Sequence, residues 1–214
     1  MICFVLYFSA PFSPTGPPPP SLSSSSSSSP SPTSLVHAAS FFDAPHFSPV
    51  LVAREPRYDR LRSEGVVVNG THYAVPVVHP DENSQPADLI MVALKNHDLK
   101  ETIHDVNNLV SDDTTFISVM NGLDSEEVIG SAYGMEKILY AVAVGIDAVR
   151  NGNSVVYTNP GKIFFGDPTN TDPSERVRSV QAAFEAAGIA SEIPADMMRI
   201  LWWKFMINVG VNQA

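Results

Sequence analysis

Residues 88–94, Asp-Leu-Ile-Met-Val-Ala-Leu, are apolar at every position after the first. A half-buried strand alternates polar with apolar residues, so an unbroken apolar run of strand length fits a strand covered on both faces, as in a parallel sheet. A second such run follows at 115–120. The two are joined by residues 97–110, where Leu99, Ile103, Val106 and Val110 recur at helical spacing. A further helix is expected over 124–132, closed by Gly134. Strand, helix, strand, helix requires crossover connections and predicts an α/β fold with a parallel sheet.

The flanking segments extend this pattern. Residues 50–53 read as a brief strand ending at Arg54, and 58–64 as a short helix stopped by Gly65. Residues 66–68, Asn69-Gly70 and 73–78 read as a hairpin, with Pro76 confining its second arm to an edge. Residues 138–148, 154–158 and 162–166 look like antiparallel strands finishing the sheet. A helix over 173–187, capped by Asp172 and opened by Pro173, and a strand over 189–193 follow. The last segment, 196–214, is helical and heavily apolar, and its Leu201, Trp202, Phe205 and Val209 need a covering partner.

The first 49 residues are a different polymer. No charged residue precedes Asp43, ten of the 18 prolines fall within the first 50 positions, and 23–29 are all serine. Such a stretch buries too little apolar surface to offset its ordering entropy, and 1–49 are expected to stay unordered. The apolar run 2–8 is too short for a bilayer and lacks the positive residues and cleavage site of a secretory signal. The expected location is cytoplasmic, with organelle targeting as the alternative. With 13 Lys and Arg against 23 Asp and Glu, the formal charge is -10, which argues against a nucleic-acid partner while leaving room for a local pocket for one phosphate. The single cysteine, Cys3, excludes a disulfide framework and any multi-thiolate site.

In an open parallel sheet, ligands lie beyond the carboxyl ends of the strands, which directs attention to Arg54, Lys95 and Asn121. A cation after the second strand of a dinucleotide fold is where a ribose 2′-phosphate would be met, so Arg54 points to NADP; the plain alternative is a solvated strand-end arginine. Lys204, Asn208 and Asn212 are spaced i, i+4, i+8 and put one ammonium and two carboxamides on nearly one helix face. Lys204 has two readings. It either extends its head to water past apolar neighbours or sits in a pocket, where an ammonium can polarise a carbonyl and deliver a proton while amides hold substrate oxygens. His97, Glu101 and His104 also share a face, but among Asp98, Lys100 and Asp105 they read as a solvated flank, and no metal is expected.

Lys95-Asn-His-Asp-Leu-Lys-Glu-Thr-Ile103, Asn121-Gly-Leu123, Asn159-Pro-Gly161 with Gly166, and Leu201-Trp-Trp-Lys-Phe-Met-Ile-Asn208 with Asn212 together resemble ketopantoate reductases, also called 2-dehydropantoate 2-reductases. The resemblance covers residues 50–214. It implies an NADPH-dependent oxidoreductase that reduces ketopantoate to pantoate in pantothenate and coenzyme A biosynthesis. By position, Lys204 would be the catalytic general acid, Asn208 and Asn212 would hold ketopantoate, and Asn121 would lie near both nicotinamide and substrate. Arg54 and Lys95 would meet the 2′-phosphate. The implied organisation is a partial NADP-binding Rossmann-like domain over 50–193 and the first helix of an all-α C-terminal domain over 194–214. The implied partners are a small 2-keto acid and, in a homodimer, a second copy; neither nucleic acid nor membrane is expected.

Two departures stand beside the resemblance. The family opens with a strand and a Gly-x-Gly-x-x-Gly turn whose backbone N–H groups bind pyrophosphate. No two of the 12 glycines here are so close, and the low-complexity segment stands where that strand, turn and first helix would be. The family's later helices, with a serine and a glutamate of the substrate site, would lie beyond Ala214. The chain therefore reads as the middle of such an enzyme. The alternatives are a non-catalytic remnant of the family or a related NADP-dependent 2-keto acid reductase.

Overall fold

The structure, a computed structural model, describes residues 3–8, 32–94 and 96–212. The chain opens with β1 (Cys3–Phe8), α1 (Pro32–Phe42), β2 (Phe47–Val52) and α2 (Arg57–Glu64). Three short strands follow, β3 (Val66–Val68), β4 (Thr71–Tyr73) and β5 (Val77–Val78). Then come β6 (Leu89–Val92), α3 (Asn96–Thr102) with a 3-10 turn over Ile103–Leu109, β7 (Thr115–Ser118), α4 (Ser125–Tyr133) and β8 (Ile138–Val144). The chain continues through β9 (Val149–Asn151), β10 (Ser154–Val156), β11 (Lys162–Gly166), α5 (Glu175–Ala186), β12 (Ser191–Glu192) and α6 (Met197–Asn212).

Eight strands form the main sheet in the order β12-β11-β8-β7-β6-β1-β2-β5. β2, β5, β6, β7 and β8 run one way, and β1, β11 and β12 run the other. Helices cover both faces, and the strand period of two sorts the apolar residues between them. Phe4, Leu6, Leu51, Leu89, Met91, Ile117 and Leu139 join α1, α2 and α5 in one core, while Val5, Val52, Ile90, Val92, Phe116 and Ile138 join α3, the 3-10 turn and α4 in the other. This is why 88–94 carry no polar alternation: each successive side chain enters a different core.

The hairpin forms as its Asn-Gly pair predicts, with Asn69 at φ 47° and Gly70 at φ 82°. Its second arm ends early, because Pro76 interrupts it and β5 leaves to pair with β2 as the edge of the main sheet. The segment 138–166 departs from expectation. β8 runs parallel to β7 and β11 closes against it, but β9 and β10 join β3 and β4 in a separate four-stranded sheet. The cap of α5 is Ser174 rather than Asp172: its hydroxyl accepts from Val177 N at 3.3 Å, while Asp172 is drawn to Arg178 at 2.7 Å.

The expectation of an unordered residue 1–49 segment fails at β1, at α1 and at the start of β2. Six consecutive apolar residues supply hydrogen bonds to two strands at once and bury Phe4, Val5 and Leu6 to 1% exposure or less, and Phe8 N donates to Asp88 Oδ2 at 2.6 Å. In α1, Leu35, Val36, Ala38 and Phe41 form a stripe buried in the first core. The apolar run 2–8, weighed in the sequence only as a membrane or signal segment, is an interior strand of the sheet, and the neighbouring serine and proline runs hid the stripe of α1. The strand and helix expected to be missing therefore have counterparts, with β1 reversed.

Candidate active site

The carboxyl ends of β6, β7 and β8 open into a cleft of about 300 Å³, walled by Leu94, Met120, Asn121, Gly145 and Ile146 and closed by Lys204 and Asn208 from α6. Behind its wall, the Gly145-Ile146 segment packs against the Asn159-Pro-Gly motif. Gly161, at φ 72°, lies against Val144 O and Ile146, where a Cβ would collide, and the Asn159 carboxamide accepts from Gly161 N at 2.9 Å. Asp147 closes the same turn by accepting from the backbone of Thr158 and Asn159, and those two bonds hold its carboxyl below the usual range.

α6 reaches the cleft from a small anchor. Its first turn is capped by Asp196, which accepts from Arg199 N at 2.9 Å, and Met197 and Leu201 pack against Val142, Tyr140 and Phe164. Helical spacing then aims Lys204 and Asn208 at the strand ends. Asn208 Nδ2 donates to Asn121 Oδ1 at 3.2 Å, joining the helix to the end of β7. That bond leaves the Asn121 amide hydrogens and the Asn208 carbonyl to meet a ligand. The rest of α6 is not the dry apolar surround its sequence suggests, since Trp202, Trp203 and Met206 are 53%, 46% and 61% exposed. Lys204 is half-buried and borders the cleft.

The structure thus brings together Lys204, Asn208 and Asn121. Arg54 stands apart at the end of β2, with Nε on Asp105 Oδ1 at 2.8 Å and Asp81 at 3.6 Å. Asp105 is buried on the 3-10 turn, so Arg54 is a braced guanidinium, not a freely solvated one. Lys95 and the side chain of Asn212 lie outside the described residues, as does that of His97. No cluster among the described residues could hold a metal ion, and no helix among them is long and apolar enough to cross a membrane.

One part of the site escaped the sequence. Ser118 Oγ donates to Ser125 Oγ at 2.8 Å, which donates to Glu126 Oε2 at 2.7 Å, and burial pushes the Glu126 carboxyl up. This chain ties the end of β7 to the start of α4 and holds the loop bearing Met120 and Asn121 between them. Glu126 follows a serine and precedes another glutamate, the usual pattern of a solvated first helical turn, and nothing in the sequence marked it as 2% exposed.

The residues fit a dinucleotide unevenly. The cleft of Asn121, Lys204 and Asn208 stands at the carboxyl ends of the strands, where such a ligand would lie. The pyrophosphate end has no glycine turn, and β1 runs against β2 and β6, so its amino end rather than a strand-to-helix turn stands at the carboxyl edge beside Val52 and Val92.

A family model described as Ketopantoate reductase PanE/ApbA matches residues 36–170. The chain is 23% identical over 173 residues to the 2-dehydropantoate 2-reductase of Aquifex aeolicus, covering 79% of this chain and 54% of that one. It is 25% identical over 160 residues to that of Halobacterium salinarum, covering 72% and 52%. It spans about half the length of these curated relatives. Among solved structures, a 2-dehydropantoate 2-reductase from Geobacter metallireducens superposes with a TM-score of 0.70 at 23% identity, covering 83% of this chain and 60% of that one. A D-mandelate dehydrogenase solved with NADH and anilino(oxo)acetate gives 0.71 at 17%, covering 80% and 57%. These likenesses establish the shared Rossmann-like fold.

Proposed function

The chain belongs to the ketopantoate reductase family, and from that premise we propose that it is an NADPH-dependent reductase of a 2-keto acid, ketopantoate, acting in pantothenate biosynthesis. The observation that carries this reading is the meeting of Lys204, Asn208 and Asn121 around one cleft at the carboxyl ends of β6, β7 and β8. Bound NADPH would supply the hydride. The chain's own part is to hold the keto acid and manage its proton. Lys204 is assigned as the general acid: its ammonium polarises the 2-keto oxygen and delivers the proton that makes it a hydroxyl. Asn208, with Asn212 one turn further along α6, is assigned to the substrate's carboxylate and hydroxyl oxygens. Asn121, fixed by Asn208, is assigned to the boundary between substrate and nicotinamide. Arg54 and Lys95 are assigned to the 2′-phosphate, with Asp105 setting the angle of the Arg54 guanidinium.

A second reading, a non-catalytic member of the family, is favoured by the missing glycine turn and the reversed β1. Steady-state NADPH consumption by the purified chain with ketopantoate, and with 2-keto acids bearing bulkier or aromatic groups, separates the two. Turnover that is fastest with ketopantoate is the expected result. No turnover with any keto acid, in protein that is folded and monodisperse, would favour the second reading.

A further inference from the structure

Arg57 opens α2, five residues beyond the end of β2, and is only 5% exposed. Its Nε makes no hydrogen bond. A buried guanidinium ordinarily has a carboxylate against it, because taking a cation out of water without a partner is costly. The sequence restricts where such a partner could come from: no aspartate or glutamate falls outside the described residues. Asp98, at the start of α3 beyond the end of β6, is the one acid whose charge acts on Arg57, and its pull is weaker than burial and the neighbouring Arg60, which together lower the Arg57 pKa.

Further cations lie close by. Arg150 pairs with Val155 across β9 and β10, so the two share a face of the small sheet, and Val155 is fully buried in the core that also holds Leu61 of α2. Leu61 is one helical turn from Arg57 on the buried face of α2. Arg150 Nε donates to Gly152 O at 2.7 Å, which fixes its direction. Burial, Arg60 and Arg57 lower its pKa to about 10. Arg57, Arg60 and Arg150 are thus near enough for their charges to act on one another, in a chain whose net charge is negative, and Arg57 itself follows the carboxyl end of β2, the edge of the sheet where ligands lie in this class of fold.

We propose that Arg57, Arg60 and Arg150 form a binding site for a phosphate group, separate from the Lys204 cleft and from Arg54. An anion seated there would replace mutual repulsion by charge-assisted hydrogen bonds, for which the forked guanidinium is well shaped. The ligand class is a phosphate or pyrophosphate moiety, free or carried by a dinucleotide.

The test is thermal unfolding of the full chain with sodium phosphate, sodium pyrophosphate, NADPH or NADH, each against sodium chloride of equal ionic strength. Phosphate or pyrophosphate is expected to raise Tm above the chloride control, with Arg60→Ala and Arg150→Ala each weakening Kd by roughly ten- to a hundredfold. Arg57→Met is expected to raise Tm without ligand, since it removes a buried charge, and to abolish the response. A response to NADPH and pyrophosphate only would identify the source as the cofactor; a response to orthophosphate as well would identify a free-anion site. No rise beyond chloride with any of these ligands would overturn the proposal. So would an unchanged response in Arg60→Ala and Arg150→Ala, or an Arg57→Met protein that loses Tm but keeps its response. Because no keto acid or turnover enters the readout, an inactive enzyme with a positive phosphate response would reject the proposed reaction and leave this site standing.

Discussion

Arg54 and His37 show how much a single side chain's neighbours alter its meaning. Arg54 is proposed to read the 2′-phosphate, but its Nε is engaged with buried Asp105. Arg54→Ala should therefore do two things. It should raise KM for NADPH by roughly one to two decades while leaving NADH little changed, and it should lower stability by stripping Asp105 of its partner. The NADPH-to-NADH ratio of kcat/KM isolates the first effect, and an equal loss with both cofactors would refute the assignment. His37 is buried in α1 with Nε2 unpartnered, and burial lowers its pKa from 6.5 to about 4. The folded state thus refuses a proton that the unfolded chain accepts, and stability should fall as pH drops from 6.5 towards 4, by up to about 3 kcal/mol. Urea unfolding at neutral and mildly acidic pH checks this: His37→Leu should lose the part of the acid sensitivity due to this residue, and an unchanged pH profile would count against it.

At the scale of elements, β1 is the most consequential departure. Its six residues occupy the slot between β2 and β6 in the antiparallel sense. Leu6 is fully buried there, so Leu6→Ala should cost about 2–5 kcal/mol, measured by chemical denaturation. A loss below about 1 kcal/mol would show that β1 does not hold the sheet together. The strands and helices from β6 to β8 were legible in the sequence because each apolar run had a length, a period and a stop that agreed. The glycine at φ 101° after α4, Gly134, is one such stop. β1 was legible only as a membrane or signal run, and α1 was not legible, because a serine and proline tract between two apolar segments of 6 and 11 residues dominates any average over the region. The swing of β9 and β10 into a second sheet was hidden for another reason. Alternation marks a strand, but nothing in it names the strand's neighbour.

In the whole molecule, the candidate site is an agreement between distant parts. The Lys-Asn spacing on α6 could be read from sequence, and so could Asn121 at a strand end. Their meeting depends on Met197 and Leu201 seating α6 against β8 and β11, and on the buried Ser118-Ser125-Glu126 chain holding the β7 loop. Such long-range packing leaves no local signature. In the proposed function, this meeting makes Lys204 the proton donor to a 2-keto acid. Ketopantoate-dependent NADPH consumption by the wild-type chain and Lys204→Ala, with NADPH affinity measured on both by calorimetry, tests it most directly. Removing one positioned acid should lower kcat by roughly 10²- to 10⁴-fold with NADPH affinity retained. A Lys204→Ala protein with near-normal kcat and lost NADPH binding would rule out Lys204 as the proton donor and make α6 a cofactor clamp.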